Sequence, residues 1–281
     1  MKNKMTVLMT ALMVFVVCVT GCGNTQTAAE PAPAPAEETE SAPESPEPAP
    51  APESSEPAQA EEPETEADTR LLVVSFGTSY NDSRDITIGA IETDIAEAFP
   101  QYEVKRAFTA QIIIDKLKER DGLEIDNVTE ALDRAVADGV KKLIVQPTHL
   151  MNGLEYGDLA AELDTYKEDF EQIVLGEPLL TSDADYEAVI RAITDATKSY
   201  DDGETAIVFM GHGTEAESNQ VYATMQEKLG AAGFEHYYIG TVEAEPTLED
   251  VAAALKEAGI YKKVVLQPLM VIAGDHANND M

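Results

Sequence analysis

From Arg70 onward the 281-residue chain alternates two kinds of hydrophobic spacing. Short apolar, β-branched runs predict strands at LLVVSF (71–76), YEVKRAF (102–108), KKLIVQP (141–147), EQIVLG (171–176), TAIVFM (205–210), HYYIGTV (236–242) and KKVVLQPLM (262–270). Between them, RDITIGAIETDIAEAF, AQIIIDKLKER, NVTEALDRAVADG, LEYGDLAAELDTY, ADYEAVIRAITDATKSY, SNQVYATMQEKLGAAG and TLEDVAAALKEAG repeat their apolar residues at helical spacing. Gly139 and Gly259 sit where helices stop, and Thr247 followed by Glu249 and Asp250 reads as a helix start. Strands and helices in alternation predict an α/β fold of parallel sheets with helices on both faces.

The pattern is stated twice. KKLIVQPTHLMNGLEY (141–156) is echoed 121 positions later by KKVVLQPLMVIAGDHANNDM (262–281), and VVSFGTS (73–79) by VFMGHGTE (208–215). Each half opens on an apolar strand ending in Gly-Thr and holds a Lys-Lys/Gln-Pro strand. A duplicated unit follows: two similar doubly wound lobes with parallel sheets, over 70–180 and 181–281, each of ordinary domain size.

Upstream of Arg70 the periodicity is lost. Lys2 and Lys4 precede the apolar run VLMTALMVFVVCV, and VTGC closes residues 1–21 in the manner of a bacterial lipoprotein signal peptide, leaving Cys22 as the lipidated first residue. This predicts an extracytoplasmic chain held to the cell membrane through a lipid anchor on Cys22. Cys18 lies within the signal, so neither a disulfide nor a cysteine metal site is available. Residues 22–69 hold ten of the 15 prolines and 13 acids, which predicts a disordered tether reaching on the order of 100 Å. Residues 70–281 carry 17 Lys and Arg against 40 Asp and Glu, a formal −23, which excludes nucleic acid as a natural partner.

Candidate chemistry gathers at strand ends. In open α/β sheets, ligands bind beyond the carboxyl ends of the strands. His149, His212 and His276 all fall at or just past such ends, as does Glu243, and Glu155 follows His149 by six residues. His236 begins a strand instead and reads as a surface or edge residue. Imidazole with carboxylate suits divalent Co, Fe, Ni or Zn, and a site with three protein ligands leaves positions open for exchange.

These residues stand in recognisable phrases: LLVVSFGTSY, RAFTAQIIIDKL, HLMNGLEY, VFMGHGTE, VEAEPTLEDV and QPLMVIAGDHANNDM. Together they closely resemble the sirohydrochlorin cobaltochelatase family, the anaerobic cobalt chelatases, from about Leu71 to the last residue. The resemblance implies a bilobal chelatase-like fold, a tetrapyrrole in the cleft and no nucleotide. Carried over by motif, it implies His212, Glu243 and His276 as metal residues. It adds Glu155 at the site, with His212, Glu155 and His149 as candidates for the proton chemistry. The metal is a substrate, Co2+ first, with Fe2+ or Ni2+ open.

Family members normally continue beyond the GDHAxND phrase, so the second lobe reads as incomplete at Met281. Arg84 and Arg106 are placed to offset the carboxylates of the tetrapyrrole. An exported copy also admits a rival, a non-catalytic tetrapyrrole- or metal-binding lipoprotein serving uptake, and homo-oligomerisation is left open.

Overall fold

Seven strands form where the β-branched runs lie. In a computed structural model, which describes residues 68–275, 277 and 279, they make two wholly parallel sheets. The first joins β1 (Thr69–Ser75), β2 (Glu103–Phe108), β3 (Lys142–Pro147) and β4 (Gln172–Leu175) in the order β2-β1-β3-β4. The second joins β5 (Thr205–Gly211), β6 (Tyr237–Thr241) and β7 (Lys263–Pro268) in the order β6-β5-β7. The signal segment, Cys22, the tether up to residue 67, and His276 lie outside the described residues.

Helices connect the strands, as parallel pairing demands. Asn81–Arg84 and a π-helical turn, Asp85–Gly89, lead into α1 (Ala90–Ala98). Then come α2 (Gln111–Asp121), α3 (Val128–Ala137), α4 (Leu154–Thr165), α5 (Asp183–Thr197), α6 (Gln220–Ala231) and α7 (Leu248–Ala258). Capping boxes open three of them: Asn127 with Glu130, Ser182 with Asp185, and Thr247 with Asp250. Each satisfies two amide donors that the first helical turn would otherwise leave unpaired.

The first strand of each half is central and buried along its whole length. Its alternate residues face opposite layers, as the two-residue period of a strand requires. Leu72 and Val74 pack with Leu132 of α3 and Leu159 and Leu163 of α4, while Leu71 and Val73 pack with Ile91 and Ile95 of α1. In the second half Ile207 and Phe209 meet Val189 and Ile193 of α5 and Met225 of α6, whereas Val208 and Met210 meet Val251 of α7.

The duplication is visible in the register. Val74 of β1 stands beside Pro147 of β3, and Met210 of β5 beside Pro268 of β7. The next amide then bonds back in both halves: Thr148 N to Val74 O at 2.9 Å, Leu269 N to Met210 O at 2.7 Å. The halves differ at one edge, where β4 flanks β3 and no described strand flanks β7.

The halves also interlock. Leu150 and Met151, just past β3, pack on the core of the second sheet. Beyond β7 the chain returns to the first half, with Ile272 against the cluster of Ile88, Phe108 and Ile114. Ser83 Oγ donates to Ala273 O at 2.6 Å, and Tyr80 OH donates to Asp275 Oδ1 at 3.0 Å.

Candidate active site

The backbone ladder between β5 and β6 runs past both strand ends. Val242 N donates to Gly211 O at 3.0 Å and Glu243 N to His212 O at 2.9 Å, so His212 and Glu243 stand side by side on adjacent chains. Their side chains approach to 3.8 Å between Nε2 and Oε2, and each is about half exposed. His212 Nδ1 lies 2.9 Å from Gly213 O. A carbonyl only accepts, so Nδ1 carries a proton, and in the neutral ring Nε2 presents a lone pair. That is the tautomer a metal ligand needs, with its second nitrogen already anchored.

The loops carrying the pair are fixed from behind. Gly213 adopts φ +87°, and a Cβ there would lie 2.8 Å from Ala244 N, so only glycine fits. Asn219 ties the two loops together: its Oδ1 accepts from Thr214 N at 3.0 Å and its Nδ2 donates to Glu245 O at 2.6 Å. The buried Tyr222 hydroxyl accepts from Gly213 N at 3.4 Å. Neither Asn219 nor Tyr222 stood out as a site residue in the sequence. The one signal was an Asn at the start of a helix, and it is spent on the loops instead of on a cap.

A second pair forms at the end of β3. The His149 side chain is only 9% exposed, and its Nε2 lies 3.6 Å from Glu155 Oε2 in the first turn of α4. Neither ring nitrogen has a hydrogen-bond partner among the described residues. Burial lowers the His149 pKa, which favours the neutral ring. Partial desolvation also raises that of Glu155, whose side chain is still about half exposed, partly opposed by the charge of His212 and assisted by that of Asp158. The two pairs lie on neighbouring loops. The loops bearing them come close, since a Cβ on Gly153 would stand 3.6 Å from Ser218 Oγ.

Of the expected site residues, the fold thus brings together His212 with Glu243 and His149 with Glu155, while His276 lies outside the described residues. Among the described residues, no three His, Cys, Asp or Glu side chains form a group able to hold a metal ion. His212 and Glu243 supply two donors of a set that needs a third. His236 is elsewhere, its Nδ1 3.2 Å from the Tyr261 hydroxyl at the opposite end of β6.

The two arginines expected to meet substrate carboxylates are engaged by the protein. Arg106 forks onto Glu92 of α1 at 2.7 and 2.5 Å, and Arg84 is buried with its guanidinium on Asn81 Oδ1 at 2.8 Å. Both sit where an unpaired charge would be costly, and the nearest oxygen acceptors claim them.

Comparison with known proteins bears on this geometry. A family model described as cobalt chelatase (CbiK) matches residues 69–281. A sirohydrochlorin cobaltochelatase from Salmonella typhimurium is 39% identical over 211 residues, covering 75% of this chain and 79% of the relative. The sirohydrochlorin cobaltochelatase CbiKC of Nitratidesulfovibrio vulgaris is 30% identical over 213 residues, covering 75% and 74%.

Proposed function

This chain belongs to the cobalt chelatase family, and from that premise we propose that it inserts a divalent metal ion, Co2+ first, into sirohydrochlorin or a closely related tetrapyrrole. The observation that carries the reading is the His212–Glu243 pair, held by the strand ladder with the Nε2 lone pair of His212 presented beside a carboxylate. In this reading His276 completes the donor set.

Insertion exchanges two pyrrole N–H protons for the metal, so the site needs metal donors that let go and bases that take protons. Half-exposed His212 and Glu243 can shed water from an arriving ion and then release it to the ring nitrogens. Glu155 takes a pyrrole proton; burial keeps its carboxyl from being a weak base, and neutral His149 beside it serves as a second acceptor. No nucleotide enters this scheme, and Fe2+ and Ni2+ are alternative substrates for the same donors. In this reading the lipobox-like VTGC ending at Cys22 supports a tethered lipoprotein that works outside the cytoplasmic membrane. Cys22→Ala is then expected to move the chain from the membrane fraction to the soluble one; retention on the membrane would refute the anchor.

The test of function is anaerobic incubation of the full chain with sirohydrochlorin and Co2+, Fe2+ or Ni2+, followed by absorbance. Metallated product in excess over protein, fastest with Co2+, is the expected result. Saturation at one equivalent would instead establish a tetrapyrrole-binding lipoprotein without turnover.

A further inference from the structure

The strand registers equate residues of the two halves one by one. Ser75 pairs with Phe108 as Gly211 pairs with Thr241. Past the strand ends the match continues through corresponding backbone bonds. Thr109 N to Ser75 O at 2.9 Å answers Val242 N to Gly211 O at 3.0 Å, and Ala110 N to Phe76 O at 3.2 Å answers Glu243 N to His212 O at 2.9 Å. Phe76 therefore occupies the place of His212, and Ala110 that of Glu243. In sequence, the steps from Gln146-Pro147 through Gly153 to Glu155 equal those from Gln267-Pro268 through Gly274 to His276. The first half thus carries Phe, Ala and Glu where the second carries its proposed metal donors.

Two of those three replacements abolish metal binding, and the kind of replacement is informative. Phe76 is 44% exposed, although all seven residues of the strand it follows are buried. Gly77 has φ +98°, and a Cβ there would lie 2.6 Å from the Phe108 ring, so the backbone at Phe76 is held in place by a turn open only to glycine. Ala110 leaves its flank low. An exposed phenyl ring beside a small residue, at the carboxyl end of the central strand, offers an apolar surface where ligands of such sheets bind.

We propose that the first half's copy of the metal triad is the ring-binding face, on which Phe76 stacks against the conjugated macrocycle of the tetrapyrrole. The inference rests on the chelatase reading and deepens it. The duplicated site is divided, with the metal presented from the second half and the flat face of the ring received by the first. Glu155, the one ionisable residue kept in the first-half copy, then lies on the ring's side of the site. No cation is required on this face, in keeping with Arg84 and Arg106 being turned to internal partners.

The experiment is anaerobic titration of the full chain with sirohydrochlorin, with Co2+ affinity measured separately by calorimetry without the tetrapyrrole. Phe76→Ala is expected to weaken sirohydrochlorin binding by about tenfold, as loss of an aromatic stacking partner does. It raises KM for the tetrapyrrole by the same factor and leaves Co2+ affinity within twofold. Phe76→Tyr keeps the ring and stays within twofold of wild type, with Phe76→Leu between. If the alanine variant is insoluble, the gap between Leu and Tyr carries the test. Unchanged sirohydrochlorin binding in Phe76→Ala and Phe76→Leu overturns the inference, as does an equal loss of Co2+ affinity. A wild-type chain that binds no sirohydrochlorin sinks the chelatase reading and this inference with it, whereas an active wild type with an equally active Phe76→Ala sinks this inference alone.

Discussion

His149 with Glu155 and His212 with Glu243 are the same two side-chain types at almost the same separation, 3.6 and 3.8 Å, and they differ in their access to water. His212 is half exposed and His149 is 9% exposed. An exposed imidazole with one nitrogen anchored on a carbonyl can trade water for a metal ion and give the ion up again. A buried imidazole with neither nitrogen bonded cannot take a hydrated ion, but it can hold a proton that a neighbouring carboxylate brings. Two His–Glu pairs at different strand ends thus suit two chemistries, divided by the burial of one imidazole.

The hardest blow to this contrast is His212→Ala. It removes the proposed metal ligand, whose outer hydrogen-bond partners alone are commonly worth 10–100-fold, and a candidate base, so on this reading metal insertion should fall by more than about 10³-fold. Co2+ affinity should fall with it. If Co2+ affinity is intact, the metal is held elsewhere and the contrast is misassigned.

Glu155→Gln breaks the other pair. It should leave Co2+ affinity unchanged and lower kcat by about 10²-fold, the low end for a lost general base. The pH profile sharpens the assignment. Burial raises the pKa of Glu155, and the reactive form is the carboxylate. The wild-type rate therefore falls as pH drops through that raised value, with an inflection above that of an ordinary glutamate, and the Gln variant lacks that acid limb. An acid limb unchanged in Glu155→Gln would assign the base to another group.

The strands and helices were legible in the sequence because each obeys one period and buries one face: β1 and β5 read as continuous apolar runs and lie in the middle of their sheets. The duplication was legible because Gln-Pro and Gly-Thr fall at the strand ends that fix the register. The burial of His149 was not legible, since it depends on Leu150 and Met151 packing across onto the second core and on Leu179 N bonding to His149 O. The fate of Arg84 and Arg106 was hidden for a similar reason. Their acceptors, Asn81 and Glu92, lie on the helical segment after β1, and only the folded chain brings Glu92 over β2. Asn219 was invisible as a site residue because its partners come from two different loops.

A smaller effect separates the halves at the residue before the site. Gly211 corresponds to Ser75, which is buried and whose Oγ accepts from Thr148 Oγ1 at 2.9 Å. The first half has room for a side chain there and the second has none, because a Cβ on Gly211 would run into the Tyr222 ring. Gly211→Ala should cost about 1–3 kcal/mol, the range for overpacking a core, and lower thermal stability while displacing His212. Ser75→Ala should cost no more than about 1.5 kcal/mol, a typical hydrogen bond. Melting curves of the two variants check the order, and a Gly211→Ala protein as stable as Ser75→Ala would show that Tyr222 yields freely.

The smallest effect tests the burial of His149 without reference to catalysis. Burial lowers its folded-state pKa below the ordinary histidine value of about 6.5, so the unfolded chain binds the proton more readily than the folded one. Stability then declines as pH falls through about 6.5 and levels off once the pH is below the folded value. The groups that can soften this are Glu155, 3.6 Å away, and through it Asp158 and His212. His149→Leu removes the titration and the two unbonded nitrogens while keeping an apolar side chain, so the variant should lose less stability than wild type between pH 7.5 and 5.5. Melting curves at the two pH values check this: the variant's melting temperature should fall less between them than that of wild type. A pH dependence of stability unchanged in His149→Leu would mean that burial of this ring does not set it apart.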